Sequence, residues 1–229
     1  MAKVIVIVGF GPGISTAVAE KFGAEGFSVA LVARNAGKLE AGVRALAEKG
    51  IAAAAFPADA SDAASLRTAF AAARARLGPI TAIHWNAFSG GDLGDPLTAD
   101  PAAAGRVFDV AVVGLLTEVQ TALADLKSAK DGAVLVTNGA FGETTPEMDQ
   151  FAILLKSSGV ALANAAKYKL VGLLAQRLKD EGVYVGEVMV AGMIKGTPSD
   201  NGQGMPGSRV ADAFWELYRA RKDVRTRVS

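Results

Sequence analysis

Apolar residues along this chain fall into short unbroken runs, separated by longer stretches in which they recur at helical spacing. The runs Val4–Val8, Ser28–Ala33, Ala52–Pro57, Ala82–Asn86, Ala133–Thr137 and Val183–Val190 have strand length and β-branched character. Between them, Ile14–Ala24, Ala36–Lys49, Ala63–Leu77, Pro101–Ala124, Ser158–Glu181 and Ser208–Arg221 read as alanine-rich helices. Strands that are apolar throughout, rather than alternating, need helices over both faces of their sheet. Strict strand–helix alternation therefore predicts a single α/β domain of Rossmann type, a doubly wound parallel sheet with right-handed crossovers. Phe141–Lys156 and Ile194–Gly207 lack strong periodicity and read as long loops of the lid or binding kind.

Composition narrows the chemistry. Among 229 residues, 24 basic and 23 acidic side chains leave a formal charge of +1. That balance suggests no nucleic-acid partner and no anionic membrane surface. With no cysteine and a single histidine, His84, thiolate catalysis and Cys- or His-rich metal sites are excluded. The opening "MAKVIVIV" is apolar too briefly to span a bilayer, so a soluble cytoplasmic protein is expected.

The first strand runs into Gly9-Phe10-Gly11-Pro12-Gly13-Ile14-Ser15, which opens the first helix. Glycines let a phosphate approach the backbone where a helix N-terminus offers unpaired N–H groups. In that strand–turn–helix setting the turn predicts dinucleotide binding.

The turn, with the landmarks that follow it, resembles the short-chain dehydrogenase/reductase family over nearly the whole chain. Gly9 and Gly13 match the family's G-x-x-x-G-x-G, with Ser15 at the third glycine. "ALVARN" places Arg34, with Asn35 beside it, where NADP-preferring members carry a basic residue, and Ala33 where NAD enzymes show aspartate. A guanidinium there suits a 2′-phosphate. "ADASD" resembles the adenine-contacting turn, carried by Asp59 and Ala60, and "HWNAF" resembles N-N-A-G, with Asn86 and Ala87 kept and Phe88 for glycine. "VYVGEVMVAG" resembles the strand before the nicotinamide loop, giving that role to Gly192, Ile194 and Thr197. The resemblance implies NADP(H) as cofactor, with Gly11, Pro12 and Ile14 completing the phosphate turn.

The family's Asn, Ser, Tyr, Lys tetrad is mostly missing. "KYKLVGL" aligns Lys167 with the family lysine, which puts Ala163 over the tyrosine; the enoyl-reductase register gives Val160. "GAVLVTNGAFG" puts Asn138 and Gly139 over the paired serines, and "VAVVGLL" puts Ala111 over the asparagine. A literal Y-x-x-x-K, Tyr218 to Lys222, lies in the last helix after every cofactor landmark and fits chance better than catalysis.

Lys167 and Asn138 are the candidate catalytic residues: a desolvated lysine can protonate an oxyanion, and an asparagine can bond a substrate oxygen. Tyr168 points about 100° away from Lys167 round the helix and should pack. His84 fits a core histidine better than a base. Glu143, Glu147 and Asp149 read as a solvated loop. The expected function is an atypical NADP(H)-dependent reductase acting on a small carbonyl or conjugated substrate. A non-catalytic NADP-binding sensor or partner subunit is the reading from a different class. Family members pair through the helices matching Pro101–Ala124 and Ser158–Glu181, which implies a homodimer or homotetramer.

Overall fold

The structure, a computed structural model, describes residues 2–90, 93–198 and 200–229. Ser199, inside the loop read as Ile194–Gly207, lies outside the described residues. The strands are β1 (Lys3–Val8), β2 (Phe27–Ala33), β3 (Ala53–Pro57), β4 (Ala82–Trp85), β5 (Ala133–Gly139), β6 (Tyr184–Val190) and β7 (Arg225–Val228). All pair in parallel, in the order β3-β2-β1-β4-β5-β6-β7. Because β1 lies centrally while the chain winds outward to both sides, the carboxyl ends of β1 and β4 part at a switch point where a ligand can enter.

Alternate residues of the strands feed separate cores. Val6, Val8, Ile83 and Trp85 face one layer, packed by Phe70, Leu115, Val119 and Val171. Ile5, Ile7 and Leu31 face the other, packed by Phe22, Leu39 and Phe214. The helices that supply these residues are α3 (Ala63–Leu77), α5 (Leu115–Ser128) and α7 (Ser158–Leu178) on the first face, and α1 (Ile14–Ala24), α2 (Ala36–Glu48) and α8 (Gly207–Ala220) on the second. Period-2 side-chain alternation with both faces covered explains the unbroken apolar runs.

The element reading needs three corrections. The helix expected over Pro101–Ala124 is α4 (Ala102–Phe108), a π-helical turn at Asp109–Gly114, and α5. Gly114 closes that turn because its missing Cβ admits the Ala60 carbonyl and the Trp85 ring. This helical run is long and apolar enough to cross a bilayer, but half of its apolar window is buried, with α5 packed on α3 and α4 on α7. The segment Phe141–Lys156 contains α6 (Pro146–Leu154), capped by the Thr145 hydroxyl with proline in its first turn. Finally, β7 reads as a polar tail because Arg225 and Arg227 alternate with Thr226 and Val228, yet it pairs with β6 as the sheet's edge.

Candidate cofactor and active site

The carboxyl ends of β1, β2 and β4 bring the nucleotide-turn residues together. Gly9 (φ +85°) and Gly13 (φ +89°) occupy conformations that other residues adopt only with strain. A Cβ on Gly9 would strike the backbone of Asn86 and Ala87, so β1 and β4 approach there as only glycine allows. The Asn86 amide then donates to the Gly9 carbonyl at 3.3 Å. Gly11, by contrast, faces open space.

Ser15 laces this turn from inside. Its buried hydroxyl accepts from the Gly11 N–H and donates to the Gly11 carbonyl, both at 2.9 Å, and Thr16 adds a bond to the same carbonyl at 2.7 Å. Serine at the third glycine position thus rigidifies the turn. Among the described residues no side chain caps the N-terminus of α1, next to Pro12 and Ile14, whereas Asn35 caps α2 and Asp62 caps α3. Open first-turn amides beside a partly exposed glycine backbone fit a diphosphate.

Arg34 is exposed at the end of β2, and its charge reaches Asp59 beyond β3. The Asp59 carboxyl sits below its ordinary range, chiefly because the Ser61 N–H and hydroxyl bond it, with Arg34 contributing. Asn35 commits its side chain to the Lys38 N–H at 2.9 Å, which leaves Arg34 as the exposed cationic group of that pair. Across the site, Ile194 and Thr197 fold back on the turn and their methyls bound the space beside Gly13, while Gly192 lies against the Met205 methyl. Asp200, which sequence reasoning missed, organises this loop by accepting from the N–H groups of Gly196, Gly202 and Gly204. Those bonds hold its carboxyl below the usual range.

The four positions aligned with the tetrad also converge. Ala111 and Ala163 pack in one small cluster with Val107. The Lys167 ammonium is buried and donates to the Thr137 carbonyl at 3.1 Å. Desolvation pushes its pKa down to about 8, against a smaller upward pull from the Glu187 carboxylate.

Asn138 departs from its expected role as a substrate contact. Its amide donates to the Asn164 carbonyl at 3.0 Å and to Glu187 Oε1 at 2.7 Å, while its oxygen accepts from the Gly139 N–H. With both protons committed inside the protein, Asn138 joins α7 to β6 instead of facing a ligand. Glu187, fully buried, accepts in turn from Arg225 Nε at 2.6 Å. The same arginine lies over the Tyr168 ring at 3.8 Å, so Tyr168, expected to pack, is an exposed ring covered on one face by a guanidinium.

The remaining candidates fall outside the site. Tyr218 donates to Asp131 at 2.6 Å, at the amino ends of the strands and opposite the nucleotide turn. His84 is a sealed core residue with Nε2 on the Thr137 hydroxyl, and burial pushes its pKa down to about 3. Glu143 pairs with Arg227, while Glu147 and Asp149 lie exposed in the first turn of α6. Among the described residues no cluster of acidic and histidine side chains suits a metal ion.

Comparison with known proteins gives the family and the fold. The family model for short chain dehydrogenases matches residues 3–201. The chain is 30% identical over 203 residues to 2-(S)-hydroxypropyl-CoM dehydrogenase 3 of Xanthobacter autotrophicus, covering 88% of this chain and 74% of that protein. Its fold superposes on L-sorbose reductase from Gluconobacter frateurii, solved with NADPH and L-sorbose, with a TM-score of 0.87 at 20% identity over 100% of this chain and 95% of that one. A 3-ketoacyl-ACP reductase from Sinorhizobium meliloti superposes with a TM-score of 0.86 at 22% identity, covering 98% and 96%.

Proposed function

This chain belongs to the short-chain dehydrogenase family, and on that premise we propose an NADP(H)-dependent oxidoreductase whose proton donor is not the family's tyrosine. The family binds a nicotinamide cofactor, which supplies hydride when bound. The overall change is carbonyl or activated alkene plus NADPH plus a proton, giving the reduced product and NADP⁺.

In this reading the turn Gly9–Ile14 holds the diphosphate on the open end of α1, and Arg34 takes the 2′-phosphate. Asp59 and Ala60 border the adenine, Asn86 and Ala87 the ribose side, and Gly192, Ile194 and Thr197 the nicotinamide. Lys167 has one ammonium proton on Thr137 and two left for ribose hydroxyls or a proton relay. Exposed Phe88 and Met193, just beyond β4 and β6, give the mouth an apolar rim suited to a small apolar substrate.

The observation that carries the reading is the pairing of a turn whose Gly9 and Gly13 leave no room for a Cβ with an exposed arginine at the end of β2. Without a positioned acid the rate falls by about 10²–10⁴, while holding substrate against the cofactor still supplies roughly 7–11 kcal/mol. Activated alkenes and other substrates that need little proton donation are favoured. The non-catalytic sensor reading is kept alive by Ala111, Gly139 and Ala163, which carry no acid at the aligned tetrad positions. Consumption of NADPH absorbance across a panel of aldehydes, ketones and enones separates the two: reduction of any member supports the enzyme, and none supports the sensor.

A homodimer or homotetramer through α4–α5 and α7 is part of the proposal. Phe108, Val113, Leu162 and Leu173 are exposed apolar side chains on those helices.

A further inference from the structure

Asn164 is a polar side chain in an unusual position. Its residue surface is only 5% exposed, on the face of α7 toward the end of β5. Its backbone carbonyl is tied to Asn138, but among the described residues its side-chain amide has no hydrogen-bond partner. Nor is that amide among the sealed polar atoms left without a partner, so it keeps a little contact with solvent beside the end of β5.

Gly139 makes the room. A Cβ on Gly139 would stand 2.5 Å from Asn164 Nδ2 and 3.4 Å from its Cγ, so the amide fills the volume in which a side chain at 139 would begin. Gly142 brings the helix close, since a Cβ there would meet the Asn164 carbonyl carbon at 2.6 Å. Behind it, Arg225, Glu187 and Asn138 form a hydrogen-bonded chain from the sheet edge to the Asn164 backbone. An unpartnered amide held this firmly at the carboxyl edge is a preorganised donor.

Building on the oxidoreductase reading, we infer that the Asn164 side-chain amide binds the carbonyl oxygen of the substrate, in the space a serine at 139 would occupy. As hydride reaches the carbonyl carbon, the C=O electron pair moves to oxygen and the Asn164 N–H steadies the charge. An amide is a donor but not an acid at neutral pH, so the proton that completes the alcohol comes from elsewhere, Lys167 or water. Asn138 is the positioning residue, acting through the Asn164 carbonyl.

Two measurements test this. Asn164→Ala should lower kcat on the best ketone of the panel by about 10²–10³-fold with NADPH affinity unchanged. Gly139→Ser combined with Asn164→Ala should recover part of that loss, because serine then has the space. Unchanged kcat in Asn164→Ala would overturn the inference while leaving the oxidoreductase reading standing. The second readout needs no turnover: protein labelled with ¹⁵N-asparagine and saturated with NADP⁺ is titrated with cyclohexanone. The side-chain amide pair missing from the Asn164→Ala spectrum should shift as ketone binds. A pair that stays in place, whether ketone binds elsewhere or not at all, sinks the inference. If the parent reduces nothing, the hydride-transfer reading falls alone, and the titration still decides the Asn164 contact.

Discussion

The Lys167 ammonium, buried in α7, donates to the Thr137 backbone carbonyl at 3.1 Å across the helix–sheet interface. The bond fixes the lysine beneath the carboxyl ends of the strands, and desolvation lowers its pKa to about 8 against the pull of Glu187. A group that titrates there is poised to give up a proton near neutral pH.

If turnover needs the Lys167 ammonium, kcat should be level below pH 8 and fall as pH rises through about 8. Lys167→Met should remove that inflection, and a parent profile flat from about pH 6 to 9 would point to water as donor. Stability carries the same signature. A lysine depressed in the fold destabilises it fully below the folded pKa, and the penalty fades as pH rises toward the unfolded value. The parent should therefore gain on the order of 3 kcal/mol relative to Lys167→Met between about pH 8 and 10.5, measured by urea unfolding.

Arg34 is predicted to set cofactor choice. NADPH should bind at least tenfold tighter than NADH, about 1.4 kcal/mol, and Arg34→Ala should erase most of that gap in a fluorescence titration. Equal affinities in the parent protein would remove Arg34 from the 2′-phosphate.

Glu118 sits fully buried in α5, where among the described residues neither carboxylate oxygen has a hydrogen-bond partner, and burial raises its pKa well above the ordinary value. A carboxyl raised in the fold destabilises it above the unfolded pKa and costs nothing once pH falls below that value. Glu118→Met should thus be more stable than the parent at pH 7, by roughly 1–4 kcal/mol, with the gap closing toward pH 4. A gap independent of pH would mean the carboxyl is neutralised by another route.

Tyr218→Phe keeps the ring among Phe22, Phe27 and Trp215 and loses only the bond to Asp131. It should cost about 1 kcal/mol of stability and leave activity within a factor of a few. A thousandfold loss would contradict its place at the far end of the sheet.

Arg225→Met leaves the sealed Glu187 carboxylate without its hydrogen-bonded charged partner, with only the more distant pull of Lys167, which predicts a loss of about 3–5 kcal/mol. Adding Glu187→Gln should restore much of it, since an amide tolerates that site better than an unpaired charge. Non-additivity in thermal unfolding is the check.

What the sequence determined by itself was local: apolar runs named six strands, and the glycine turn named the nucleotide end. Each of these signals lies within one element, where periodicity and backbone freedom are written in adjacent residues. Phe27 and Gly139 extend two strands beyond their expected ends, because pairing with β1 and β6 decides where a strand stops. Only the tertiary structure decided the remainder of the site. Asn138 read as a free donor until its protons met Asn164 and Glu187, contacts 26 and 49 residues away. β7 is too charged to announce itself, and it becomes a strand because Glu187 holds Arg225. Asn164 stands out only where a glycine on another element leaves its amide room. Such pairings depend on which strand lies beside which helix, and no pattern along one segment records that.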